Sequence, residues 1–161
     1  MADRITAEKR SWNMSRIKSR DTKPEIRVRS MLHKLGYRFR LNKKNLPGSP
    51  DIVLKKYNLV IFVHGCFWHR HTGCRYAYKP KSRIEFWEKK FRKNVERDVK
   101  NHEKLREKGW NVIVVWECEL YNRTLETVER VVSRLLSGSE NEEGPKTYPE
   151  ALERKELLKV A

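Results

Sequence analysis

The chain has 161 residues, enough for one domain with a real core and too few for two of ordinary size. Its 37 Lys and Arg against 21 Asp and Glu leave a net charge of +16, a self-repulsion that calls for a polyanionic partner. No apolar stretch reaches the length of a membrane span, the polar, basic amino terminus has no hydrophobic centre, and three cysteines cannot all pair within the chain. These features exclude a membrane-spanning helix and a disulfide scaffold, and an intracellular protein with reduced or metal-bound thiols is expected.

Residues 1–21 mix Arg10, Arg16, Lys18 and Arg20 with Trp12, Met14 and Ile17. That is the make-up of an arm laid along a phosphate backbone with one side chain offered to a groove, or of a frayed terminus. Thr22-Lys23-Pro24-Glu25 then predicts a helix start, with Thr22 as cap, Glu25 reaching back and Pro24 in the first turn. Val28, Met31, Leu32 and Leu35 follow at helical spacing, and Gly36 ends the helix. On spacing alone Glu25 reads as a capping residue.

Tyr37, Phe39 and Leu41 alternate with Arg38 and Arg40, the pattern of a strand with one wet, basic face. Leu46-Pro47-Gly48-Ser49-Pro50 is a turn that leads through Asp51 into a strand over 52–54. A third strand over 59–63 is expected to pair with it across the Tyr57-Asn58 turn, which would bring Asp51 near Val63 and His64.

That third strand breaks at Gly65 into Cys66-Phe67-Trp68-His69-Arg70-His71-Thr72-Gly73-Cys74. A core would not use so many imidazoles and thiols, which stay costly to bury until each polar atom has a partner. Further on, Ser82-Arg83-Ile84-Glu85 reads as a second capping box, opening a long helix to about Lys108 that ends at Gly109. Trp87, Phe91, Val95, His102 and Leu105 form its apolar stripe, with His102 a tolerated edge of it. Residues 110–116 make a fourth strand, apolar as a central strand would be, which delivers Glu117 and Cys118. A final helix is expected over 124–136. The segment 137–161 has linker-like composition and six acids against four bases, so the positive charge belongs to the residues before it.

Two constellations carry chemistry. Cys66, His71, Cys74 and Cys118 supply three sulfurs and one imidazole, the set that a tetrahedral structural zinc prefers. His64 and His69 remain beside Asp51, and on a basic surface that group fits phosphodiester hydrolysis: Asp51 for a hard divalent cation such as magnesium, an imidazole for proton transfer. A zinc closed by four protein ligands has no position for water, so two metals with separate duties are implied. Phe67 and Trp68 either wedge between base steps or roof the zinc site. A zinc-stabilised module that binds distorted DNA without cutting it is the alternative from another class.

The residues resemble the very-short-patch-repair (Vsr) DNA mismatch endonuclease family over roughly residues 10–120. The resemblance is carried by Asn13-Met14, Arg20-Asp21-Thr22, Leu46-Pro47-Gly48-x-Pro50-Asp51, Val60-Ile61-Phe62-x-His64-Gly65-Cys66-Phe67-Trp68-His69, Glu85-Phe86-Trp87, Lys93-Asn94-Val95-Glu96-Arg97-Asp98 and Val115-Trp116-Glu117-Cys118. It implies a restriction-endonuclease-like α/β fold, a mixed central sheet flanked by helices, over residues 22–136, with a DNA-contacting arm (1–21) and a flexible or partly helical tail (137–161). It also implies a nickase that cuts 5′ to the T of a T:G mispair left by deamination of 5-methylcytosine. By position, Asp51 and the backbone carbonyl of Val63 bind magnesium, His69 is the general base, His64 assists at the phosphate or leaving group, and Glu25 reaches the metal through water. Zinc falls on Cys66, His71, Cys74 and Cys118. Phe67 and Trp68 become wedges with Met14 entering from the opposite groove, Lys90 and Asn94 read the mispaired bases, and Trp87 joins the wedge or stays in the core. The same resemblance implies a monomer on mismatched double-stranded DNA in the cytoplasm of a bacterium or archaeon, at the nucleoid, beside possible mismatch-repair proteins, with no membrane. A broader nicking specificity is the near alternative.

Overall fold

The computed structural model describes residues 6–18, 20–41, 43–122 and 124–136. The tail expected over 137–161 lies outside them. Helix α1 (Ala7–Ser15) occupies the segment expected to be an arm, its first turn capped by Thr6, whose side chain accepts from the Lys9 amide. Helix α2 (Lys23–Lys34) starts as its sequence predicts: Thr22 Oγ1 accepts from the Glu25 amide and donates to Glu25 Oε1, while Glu25 Oε2 accepts from the Asp21 amide. Gly36 follows with φ +88°, a backbone conformation that a Cβ would strain.

Among the described residues four strands form one sheet in the order β1 (Arg40–Leu41), β2 (Ile52–Leu54), β3 (Leu59–His64), β4 (Asn111–Trp116). The first two pairings are antiparallel and β3–β4 is parallel, so the sheet is mixed. Between β2 and β3 the chain makes a 3-10 turn, Lys55–Tyr57, closed by Asn58 at φ +46°, one turn more than the two-residue link expected. Of the strand expected over 37–41 only Arg40 and Leu41 pair, and Leu41 is exposed, whereas Tyr37 and Phe39 pack against the core from an irregular segment.

The period-2 alternation of the strands divides the core. Ile52, Leu54, Leu59, Ile61, Ile113 and Val115 meet Val28 and Leu32 of α2, together with Leu120 of α5 (Glu119–Asn122) and Val131 of α6 (Thr124–Leu136). Val53, Val60 and Phe62 meet Leu105 of α4 (Ile84–Glu107) on the other face. Burial of the β4 residues therefore comes from helices on both faces and not from a central position: β4 is an outer strand among the described residues. Leu35, expected on the buried stripe of α2, is exposed as its C-cap.

Helix α4 departs from its expected start. Arg83, at φ +52°, is its N-cap and makes no side-chain cap, so the helix starts one residue after the expected cap position, Ser82. The end is as expected, with Gly109 at φ +79° donating to the Arg106 carbonyl. No described helix is long and apolar enough to cross a membrane.

Candidate active site and metal centre

The parallel register sets His64 opposite Trp116, so the residues that leave β3 and β4 emerge side by side. On one side Gly65 opens α3 (Cys66–His69), a single helical turn where a loop was expected. On the other side the chain turns through Glu117 and Cys118 into α5. Glu117 spans the two: its amide donates to the His64 carbonyl and its Oε1 accepts from the Cys66 amide at 2.8 Å. Gly65 has no side chain to cap α3, and Glu117 supplies the acceptor from 51 residues away.

Cys66, His71, Cys74 and Cys118 converge as the sequence predicts, with one ligand atom from each lying within 4.8 Å of the others. His71 Nδ1 is 3.5 Å from Cys66 Sγ and 3.2 Å from Cys118 Sγ. A tetrahedral zinc needs sulfur and nitrogen ligands about 3.5–3.8 Å apart, so the spacing fits one ion. The His71 ring lies parallel to Trp116 with centroids 4.2 Å apart, which fixes its plane. Burial pushes the Cys66 and Cys118 thiols above the ordinary range, so thiolates here call for a cation beside them.

Across α3 a cleft of about 1070 Å³ is lined by Glu25, Asp51, Val63, His64, His69 and Asp98, and Lys18, Arg20, Lys44, Lys90 and Arg97 bring positive charge to it. Antiparallel pairing of β2 and β3 delivers Asp51 where expected: its Oδ2 accepts from the Val63 amide at 2.7 Å. Burial is the main force that raises the Asp51 carboxyl to about 6; the Glu25 charge adds to it, while the Val63 amide, Arg29 and His69 oppose it. A carboxyl held up by burial and a second acid is suited to a hard cation. Glu25 is buried, bonded by Thr22 and by Arg29, and faces the same cleft, so it is at once the helix cap and a wall of the site.

The two imidazoles expected to serve proton transfer also meet. His64 and His69 stack with centroids 3.8 Å apart. Nδ1 of His69 is 2.5 Å from Oδ2 of buried Asp98, the two joined by a hydrogen bond. Burial, with His69, His102 and Arg97 adding to it, holds His64 well below the usual imidazole range and so neutral. His102, expected at the edge of the α4 stripe, is 1% exposed and lines the cleft beside Phe62 and His64. Asp98 belongs to one of the family motifs but has no role assigned from the sequence, and His102 has none either. The signal was helical spacing: Asn94, Asp98 and His102 fall at i, i+4, i+8 on one face of α4, in line with Lys90.

The aromatic residues of α3 point to α4. Phe67 packs against Trp87, Phe91 and Tyr78, with ring centroids 4.9–5.4 Å apart. Trp68 contacts Trp87, so the rings join an aromatic cluster and do not roof the cysteines. Asn94 Nδ2 donates to the Trp68 carbonyl at 3.1 Å, and the Lys90 ammonium stands 5.3 Å from the Trp68 ring centroid. Met14, on α1, is 42% exposed and lies outside the cleft lining.

Residues 2–75 match the family model of the DNA mismatch endonuclease Vsr. The type II nicking enzyme V.XorIIP of Xanthomonas oryzae is 52% identical over 120 residues, 74% of this chain and 88% of that protein. The type II nicking enzyme V.NmeAIP of Neisseria meningitidis is 48% identical over 84% of this chain and 97% of its own length. The DNA mismatch endonuclease Vsr of Escherichia coli is 47% identical over 84% of this chain and 86% of its own. With Asp51, His64, His69 and Asp98 of the motifs in one cleft and Cys66 and Cys118 in one metal cluster, these likenesses have a plain reading: the chain belongs to the Vsr family of DNA mismatch endonucleases.

Proposed function

We propose that this protein is a DNA mismatch endonuclease that nicks one strand 5′ to the T of a T:G mispair, by magnesium-dependent hydrolysis on a restriction-endonuclease-like core. The observation that carries the reading is the meeting of Asp51, Glu25, His64 and the His69–Asp98 pair in one cleft, with cations lining it and aromatic side chains at its edge. Mismatch cutting and nicking are what the names of the relatives state, and the cleft has the groups for both the cut and the recognition.

Asp51 and the Val63 carbonyl would hold magnesium, with Glu25 engaged through water; the bound ion supplies charge neutralisation at the phosphate. Asp98 holds His69 by Nδ1, which leaves Nε2 to accept a proton from the attacking water. His64, kept neutral, donates an N–H to the phosphate or the leaving oxygen. Zinc on Cys66, His71, Cys74 and Cys118 ties α3 to the end of β4 and takes no part in the chemistry, since four protein ligands fill a tetrahedron.

Phe67 and Trp68 are assigned to wedge between base steps, with Met14 entering from the other groove. Unstacking costs a few kcal/mol per step and least at a mispair, which makes the wedge itself selective. Lys90 and Asn94 then read the exposed bases. The enzyme works as a cytoplasmic monomer at the nucleoid, alongside mismatch-repair proteins. The test is a panel of end-labelled duplexes carrying T:G, other mispairs or none. A single product ending 5′ to the T, obtained from T:G alone, is expected; equal cutting of several mispairs would replace the reading with a broader nickase, and binding without cutting would replace it with a DNA-binding module.

A further inference from the structure

His64, His69 and Asp98 meet in the cleft, and one ligand atom from each lies within 4.8 Å of the others, the same closeness as in the Cys/His corner. They come from three elements, β3, α3 and α4, and two of them are buried, His64 at 3% and Asp98 at 6% exposed. The two rings stack with planes 12° apart and centroids at 3.8 Å, and the bond between His69 Nδ1 and Asp98 Oδ2 ties the third side chain to them. All three are thus held in place before any ion arrives. Two imidazoles and a carboxylate differ as donors from Asp51 and Glu25, which offer oxygens alone. Nitrogen-rich sets favour zinc, nickel or cobalt over magnesium, and three protein ligands leave one position for water.

We propose that His64, His69 and Asp98 form a further metal site, separate from the Cys/His corner and from the Asp51 oxygens, which takes a borderline divalent cation such as zinc and, once filled, stops the cut. The ion enters between His69 Nδ1 and Asp98 Oδ2, in place of the proton they share. These atoms, 2.5 Å apart, open to about 3 Å to admit it. The displaced proton returns to the ring at Nε2, since a neutral imidazole with metal on one nitrogen carries its proton on the other. Nε2 is then a donor and no longer accepts a proton from water. The block rests on the reading of His69 as the proton acceptor; the binding of the ion does not. Magnesium at Asp51 shares no ligand with this site, so excess magnesium leaves the block in place.

The test is a zinc titration of the full chain already holding one zinc at its cysteines, read by calorimetry and, on the same samples, by nicking of a T:G duplex in magnesium. A second zinc is expected to bind, and nicking to disappear with the same midpoint whether magnesium is low or in excess. His64→Phe and Asp98→Asn, which keep shape and remove a ligand, should weaken the second zinc by at least on the order of tenfold, whereas Asp51→Ala should bind it as wild type does. Absence of a second zinc, or one bound equally by His64→Phe and Asp98→Asn, would overturn the site. Inhibition relieved by magnesium would place the ion at Asp51 instead. A second zinc bound as expected with nicking undiminished would overturn the block and the reading of His69, and leave the site; a protein that never nicks would overturn the proposed activity alone, because the calorimetry stands without it.

Discussion

The Cys/His metal corner and the cleft proposed for hydrolysis share the four-residue helix α3, yet they are built in opposite ways. At the metal corner three of four ligands lie within nine residues and the fourth follows the end of the neighbouring strand, so one ion would close a local loop. The cleft draws Glu25 from α2, Asp51 from the entrance to β2, His64 from β3, His69 from α3 and Asp98 from α4. On the proposed reading, soft, clustered ligands fix the place of α3, and dispersed oxygens and imidazoles use that place for chemistry. The difference teaches a dependence: the cleft needs the corner, and the corner does not need the cleft.

Stripping zinc with a chelator, or replacing Cys118 by Ser, should break that dependence from below. Loss of the metal is expected to cost about 3 kcal/mol or more, a fall in Tm of roughly 6–12 °C for a domain of this size. Nicking should vanish with it, because His69, Phe67 and Trp68 ride on α3. Thermal melting and nicking on one sample check this; full activity in zinc-free protein would sever the two regions.

Asp98→Asn should act only on the cleft. Zinc content and Tm stay near wild type, while nicking slows roughly a hundredfold as His69 loses the carboxylate that orients its proton. A third contrast is in pH. The Asp51 carboxyl lies at about 6, above its ordinary value of 3.8, so without a cation the buried charge is a burden and stability falls as pH rises from about 4 through 6. Magnesium should return that stability above pH 6, and its half-saturating concentration should climb about tenfold per unit below it, as a proton competes for the same oxygens. A magnesium titration of nicking between pH 5 and 8 reads this directly; a flat dependence would remove Asp51 from the cation site.

The smallest expected effect is at the cap. Thr22→Ala removes the hydroxyl that bonds both the Glu25 amide and its carboxylate, at a cost of about 1 kcal/mol. The Tm should fall by roughly 2–4 °C, and nicking only a few-fold, since Arg29 still holds Glu25.

Much of this could be read from the residues. The zinc set was visible because soft ligands recur at short spacing, and the approach of Asp51 to Val63 followed from a short link between two strands. What stayed hidden depended on tertiary neighbours. Asp98 reads as one more charge on a charged helix until α3 brings His69 to it, and Glu117 reads as a strand end until the parallel register sets it against Cys66. His102 was judged from the helix stripe alone, whereas Phe62 and His64 on the facing strand make it buried. The start of α4 shifted for a local reason: a positive φ at Arg83 moves the N-cap one residue past Ser82, which spacing cannot reveal.

The most direct test is single-turnover nicking of an end-labelled T:G duplex beside its T:A twin, with and without magnesium, by wild type and by Asp51→Ala. The account predicts one cut, 5′ to the mispaired T, that needs magnesium, is absent from the T:A twin, and falls at least on the order of a thousandfold in Asp51→Ala while DNA binding persists. Equal cutting of both duplexes, or an Asp51→Ala protein that nicks like wild type, would contradict it.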